Sequence, residues 1–176
     1  NLAEEIMVAR DLFLNEYTDS KIHFTTISTA KSVDLIKKAK AANQKVSCDV
    51  AAHNLFFDDE ALDTFDSNLK TLPPIRDKKD VKALIKGLKD GSIDVIVSDH
   101  QPQDIECKRL EFDHADFGMI ALQTTFSAAN MATKDLLQLD LCEKQLVEKW
   151  KNVVSTLICI ASKNSSSTWL TGHFSF

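Results

Sequence analysis

Leu2, Ile6, Ala9 and Phe13 recur near helical spacing among charged residues, which predicts an amphipathic helix over residues 2–16. Lys21 to Ser28 holds Ile22, Phe24 and several threonines in a short β-branched run and predicts a strand. Ser28 and Thr29 are N-cap candidates for a helix reaching about Ala42. That helix sets Val33, Leu35 and Ile36 on one side and Lys31, Lys37, Lys38 and Lys40 mostly on the other. Lys45 to Ala51 predicts a second strand, and Asp58 to Phe65 a short helix or turn. Pro73-Pro74 forces an extended or turning segment. The clearest helix is Asp77 to Asp90. Val81, Leu84, Ile85 and Leu88 share one face, Asp77 can cap, and Gly91 stops it.

Ile93 to Ser98 is short and mainly apolar, as in a parallel strand buried on both faces. Helices are expected at about Phe117–Ala132, Thr133–Leu139 and Glu143–Ala161. Helices alternating with strands predict an α/β fold with parallel strands. No internal repeat or linker-like composition shift interrupts the chain. It reads as one domain over residues 1–176, with an irregular tail at 162–176. The start inside a helix and the aperiodic ending read as cuts from a longer chain.

Composition narrows the classes. The chain is 44% hydrophobic and 27% charged, ordinary for a soluble globular protein, with a net charge of −5. This acidic balance argues against a nucleic-acid binder. No apolar run approaches the ~20 residues of a membrane span, and no signal peptide opens the chain. Cys48, Cys107, Cys142 and Cys159 show no C-x-x-C spacing and read as free thiols in a reducing, cytoplasmic compartment.

Parallel α/β folds gather functional groups at the C-terminal ends of their strands. Ser98-Asp99-His100 ends the apolar strand, where Asp99 suits either a metal ligand or a general base, or simply caps the next turn. His53 lies just past the second strand, as a possible nitrogen ligand or a satisfied core histidine. His23 lies mid-strand and reads as packed or hydrogen-bonded. His114 and His173 carry no assignment. No phosphate-binding glycine loop and no G-x-S-x-G elbow occur.

Five ordered blocks carry a family resemblance. Ile93 to Gln103 resembles the dihydroorotase signature IDVIATDHAPH, and Asn68 to Arg76 resembles KVNPPLR. Asp49 to Leu55 resembles EVTPHHL, and His23 to Thr29 resembles HIAHVST. Glu106-Cys107-Lys108 and Phe117-Gly118 are similar to the later EK and FG block. The resemblance implies a (β/α)₈ TIM barrel of the amidohydrolase superfamily, with only about its second half, roughly strands five to eight, in this chain. It implies a zinc-dependent hydrolase of pyrimidine biosynthesis that interconverts carbamoyl aspartate and dihydroorotate, and a homo-oligomer. Residue by residue it makes Asp99 the metal-proximal acid/base and His53 a zinc ligand. It makes Phe117 and Gly118 substrate contacts through a loop backbone.

The departures are specific. Thr26 stands where the pattern has a zinc-binding histidine, Leu72 where it has a substrate-binding asparagine, and Gln103 where it has the last histidine of DHAPH. A threonine hydroxyl is a poor zinc ligand beside imidazole. Losses at ligand positions, with Pro73, Pro74, Arg76 and Gly118 retained, imply a second expectation. It is a catalytically inactive dihydroorotase-like subunit, a pseudoenzyme serving as scaffold for aspartate transcarbamoylase.

Overall fold

The computed structural model describes residues 1–133. The expected helices at Glu143–Ala161 and beyond Thr133, the tail at 162–176, Cys142, Cys159 and His173 lie outside the described residues. Three parallel strands form one sheet in the order β1-β2-β3: β1 (Ile22–Phe24), β2 (Val46–Ala51) and β3 (Val95–Val97). Ile22 pairs with Val46 and Phe24 with Cys48, while Asp49 pairs with Val95 and Ala51 with Val97. The crossovers are helical, as parallel strands require. The helices are α1 (Leu2–Thr18), α2 (Ala30–Ala41), α3 (Ala52–Phe56), α4 (Lys78–Lys89), α5 (Ile105–Lys108) and α6 (Thr125–Ala132).

The α4 prediction holds in detail. Asp77 accepts from the backbone N–H of Lys79 and Asp80, and Gly91 follows the helix at a φ of 78°. Thr29 caps α2 by accepting from the N–H of Ser32. The core forms where Val8 and Leu12 of α1, Val33 and Ile36 of α2, and Leu84 of α4 meet Cys48 and Val50 of β2. Ile36 and Leu84 are both fully buried, so truncating either to alanine costs about 2–5 kcal/mol. Burial pushes the Cys48 thiol up to about 12, which makes it a core residue and not a nucleophile.

A polar network fixes α1 to the start of α2. Glu4 accepts from the N–H of Ser28 at 3.0 Å and of Thr29 at 3.1 Å. Arg76 donates to Ser28 Oγ at 2.9 Å and pairs with Glu4 at 3.4 Å. Asp80 accepts from the N–H of Ala30 at 2.7 Å. Both carboxylates sit where the α2 dipole favours negative charge. Burial pushes the Glu4 carboxyl up, but its hydrogen bonds from Ser28, Ser32 and Thr29 outweigh that, and the net shift is downward.

Three expectations differ from the fold. The strand read over Ile93–Ser98 as buried on both faces spans only Val95–Val97 and is half-buried. The first strand ends at Phe24 instead of continuing to Ser28. Thr26 turns out of the sheet at a φ of 51°, and its N–H donates to the Asp49 side chain at 2.6 Å. The helix expected from Phe117 begins only at Thr125. Residues 117–124 instead spend backbone groups on tertiary bonds: the Gly118 N–H donates to Lys70 O, and the Lys108 ammonium donates to Gly118 O.

Candidate functional site

The C-terminal ends of β1, β2 and β3 bring Thr26, His53 and Asp99 to one edge of the sheet, through the chain continuing directly from each strand. His53 lies in the first turn of α3, which starts without a break after β2. It is 3% exposed, and neither ring nitrogen has a hydrogen-bond partner among the described residues. Burial pushes its pKa down and the negative charge of Asp99 opposes this, so the imidazole is neutral at pH 7 and feels that carboxylate. Buried polar groups without partners are rare and costly, which marks His53 as a group whose partner is not among the described residues.

Asp99 follows β3 in the left-handed region, at a φ of 47°. Aspartate tolerates that conformation better than most residues. Its Oδ1 accepts from Gln101 Nε2 at 2.7 Å. Gln103, the second nearby glutamine, donates to Phe117 O at 2.9 Å. Gln103 therefore holds the loop that carries Phe117 and Gly118. Gly118 sits at a φ of 136°, and a Cβ there would run into Gln101 O. The Phe117 ring lies 4.7 Å from Lys70 Nζ, a cation–π contact, and is 47% exposed. Leu72 is exposed beside Pro73.

Two residues not singled out beforehand organise this edge. Asp49 is buried on β2 and bridges the Thr26 N–H and His23 Nε2, the latter at 2.9 Å. His23 Nδ1 also lies 2.8 Å from Ser47 Oγ, so mid-strand His23 is hydrogen-bonded on both sides. The hydrogen bond to Asp49 raises the His23 pKa, with burial opposing it. A lone carboxylate in β2, two residues along from Ser47, the partner of His23, was the signal for this pair. His100 is the other residue: its Nδ1 accepts from the N–H of Ala121 at 3.1 Å and of Leu122 at 3.2 Å. That contact has no sequence signature.

A cavity of about 740 Å³ opens beside His53 and is also lined by Gln103 and Gly118. Asp99, Thr26, Leu72 and Phe117 do not line it. A catalytic zinc site usually needs three protein ligands around an open position. Among the described residues no group of three histidine, cysteine or acidic side chains is placed to hold a metal ion. His53 and Asp99 supply at most two donors, and Thr26 adds none of comparable strength. The described residues therefore do not form a complete zinc site.

No family model matches the chain. Over 128 residues, 73% of this chain, it is 44% identical to the dihydroorotase of Thermoanaerobacter sp., covering 30% of that protein. It is 46% identical over 127 residues, 72% of this chain, to the dihydroorotase of Ruminiclostridium cellulolyticum, again covering 30% of it. The fold is similar to an L-hydantoinase (dihydropyrimidinase) from Arthrobacter aurescens, with a TM-score of 0.71 at 24% identity over 77% of this chain and 31% of that one. A dihydropyrimidinase from Brevibacillus agri matches with a TM-score of 0.68 at 22% identity, over 74% of this chain and 30% of that one. The chain thus spans about 30% of the length of the curated relatives it matches.

Proposed function

We propose that this chain, a partial segment of the dihydroorotase-type amidohydrolase barrel, supplies one wall of a site for opening and closing a cyclic amide, with carbamoyl aspartate and dihydroorotate as the substrate pair. The observation that carries this reading is His53, buried beside Asp99 with neither ring nitrogen partnered among the described residues, at the ends of neighbouring parallel strands. In the forward direction water adds to the amide carbonyl carbon and gives a proton to the Asp99 carboxylate. The C–N bond then breaks, and Asp99 returns the proton to the leaving nitrogen. The Phe117–Gly118 backbone, held by Gln103 and Lys108, orients the ring. His53 and Asp99 would hold part of any zinc site, which the described residues do not complete.

The test is dihydroorotate hydrolysis by the longest native form of the protein, in the cytoplasmic fraction where the reading places it. Asp99→Asn is expected to lower kcat by about 10²–10⁴-fold, the usual worth of a positioned acid/base. Turnover unaffected by that substitution refutes the role of Asp99.

A second reading rests on Thr26, Leu72 and Gln103. It is a non-catalytic subunit that binds aspartate transcarbamoylase as a scaffold. This reading expects a co-eluting complex on gel filtration that survives Asp99→Asn, and no dihydroorotate turnover. Separate elution of the two proteins refutes it.

A further inference from the structure

The parallel pairing of β1 with β2 assembles a second set of reactive side chains, none of which lines the cavity beside His53. His23 is in register with Ser47, and Asp49 stands two residues further along β2, on the same face as Ser47. His23 Nε2 lies 2.9 Å from Asp49 Oδ2, and Nδ1 lies 2.8 Å from Ser47 Oγ. A carboxylate only accepts, so Nε2 carries the proton and donates to Asp49. In the neutral ring Nδ1 is then the acceptor, and the Ser47 hydroxyl donates to it. The Asp49 side chain is 8% exposed, and its Oδ1 accepts from the Thr26 N–H, so the carboxylate is fixed and orients the ring. Among the described residues the His23 side chain is 42% exposed and Ser47 is half-buried, which leaves both open to a ligand. A hydroxyl, a base and a carboxylate that holds the base, hydrogen-bonded in that order, are the parts that activate a serine for acyl transfer.

We propose that Ser47, His23 and Asp49 form a serine acyl-transfer centre for small neutral aryl esters. Ser47 Oγ bonds to the acyl carbon while its proton passes to His23 Nδ1. The ester C–O bond breaks, and the phenol leaves with that proton. Water, giving its proton to His23, then cleaves the acyl-serine and releases the carboxylic acid and the free hydroxyl. An aryl ester suits an open strand surface because a phenolate leaves readily. A neutral substrate suits it because Asp49 and Asp94 act on His23 against the single positive charge of Lys40. Neither Asp99, His53 nor a metal takes part, so this centre and the cyclic-amide reading can each fail while the other stands.

The experiment treats the full chain with an alkyl fluorophosphonate, which loses fluoride as an activated serine Oγ bonds to phosphorus, and maps the adduct by peptide mass spectrometry. The same preparation is assayed for 4-nitrophenyl acetate hydrolysis. The expected result is labelling at Ser47 ahead of every other serine, with hydrolysis falling in step. Ser47→Ala is expected to lose the adduct and to lower the hydrolysis rate about 10²-fold, the lower end of what a positioned base supplies. The wild-type rate is expected to rise with pH through the raised His23 value, as the ring loses its second proton. Asp49→Asn keeps an acceptor for the Thr26 N–H and is expected to move that rise to lower pH, a change that a merely structural Asp49 would not give. Labelling of the wild type needs no substitution, so it decides the matter even if a variant fails to fold. No adduct at Ser47, labelling no faster there than at other serines, or hydrolysis undiminished in Ser47→Ala would overturn the proposal.

Discussion

Replacing His53 by leucine separates a group kept for function from one kept for stability. The imidazole is 3% exposed, and both of its nitrogens lack partners among the described residues. A buried polar group left unsatisfied costs about 1–3 kcal/mol, and leucine of similar volume removes the cost without leaving a large void. In a chelator-containing buffer His53→Leu should therefore raise the unfolding free energy of the chain by about 2 kcal/mol. For a chain of this size that is a Tm increase of about 4–8 °C. Urea and thermal unfolding followed by circular dichroism would measure it, with the slope of the urea transition unchanged. A variant destabilised by 1 kcal/mol or more under those conditions would refute the reasoning, because the ring nitrogens would then have to be satisfied in the native state. Repeating the melts of the longest native form with added zinc sharpens the result: a ligand that binds only the folded protein stabilises it, and the variant should lose that gain.

Thr26 holds a β-branched side chain at a φ of 51°. Thr26→Asn, which suits the left-handed region, should stabilise the chain by about 1 kcal/mol in urea unfolding. Gly118→Ala should destabilise by about 2 kcal/mol, since the φ of 136° is a glycine conformation and the added Cβ meets Gln101 O. The His23 pKa is raised by Asp49 from its ordinary 6.5, so the stabilising contribution is complete below pH 6.5 and is lost as pH rises through the raised value. His23→Gln should abolish that fall, measured by urea unfolding from pH 6 upward. His53 acts with the opposite sign: its lowered pKa gives stability present above 6.5 and lost as pH falls through the lowered value. His53→Leu should remove that acid-side loss in the same assay.

Local pattern revealed the elements whose stabilising contacts are near in sequence. The α4 helix follows from its apolar face and from Asp77, whose cap is made within three residues. The β2 strand and the positions of His53 and Asp99 past strand ends were equally legible. The excess length assigned to β1 came from reading Thr25 to Ser28 by propensity alone, although the Asp49 carboxylate, contributed by another strand, turns the chain at Thr26. Residues 117–124 have a helix-like composition, yet Lys70, Lys108 and His100 hold their backbone from a distance. The clustering of Lys108 with His53 around one cavity is likewise a long-range fact. The family blocks mark Gln103 only as a lost histidine, whereas its side chain bonds Phe117 O.

The most direct test is bound zinc per chain in the longest native form of the protein, measured by elemental analysis after exhaustive dialysis, for the wild type and for His53→Leu. The account predicts tightly held zinc in the wild type that the variant loses, because His53 is a buried donor beside Asp99 with no partner among the described residues. Zinc content unchanged by the substitution, or absent from a folded wild-type protein, would contradict it, and the second case would favour the non-catalytic scaffold.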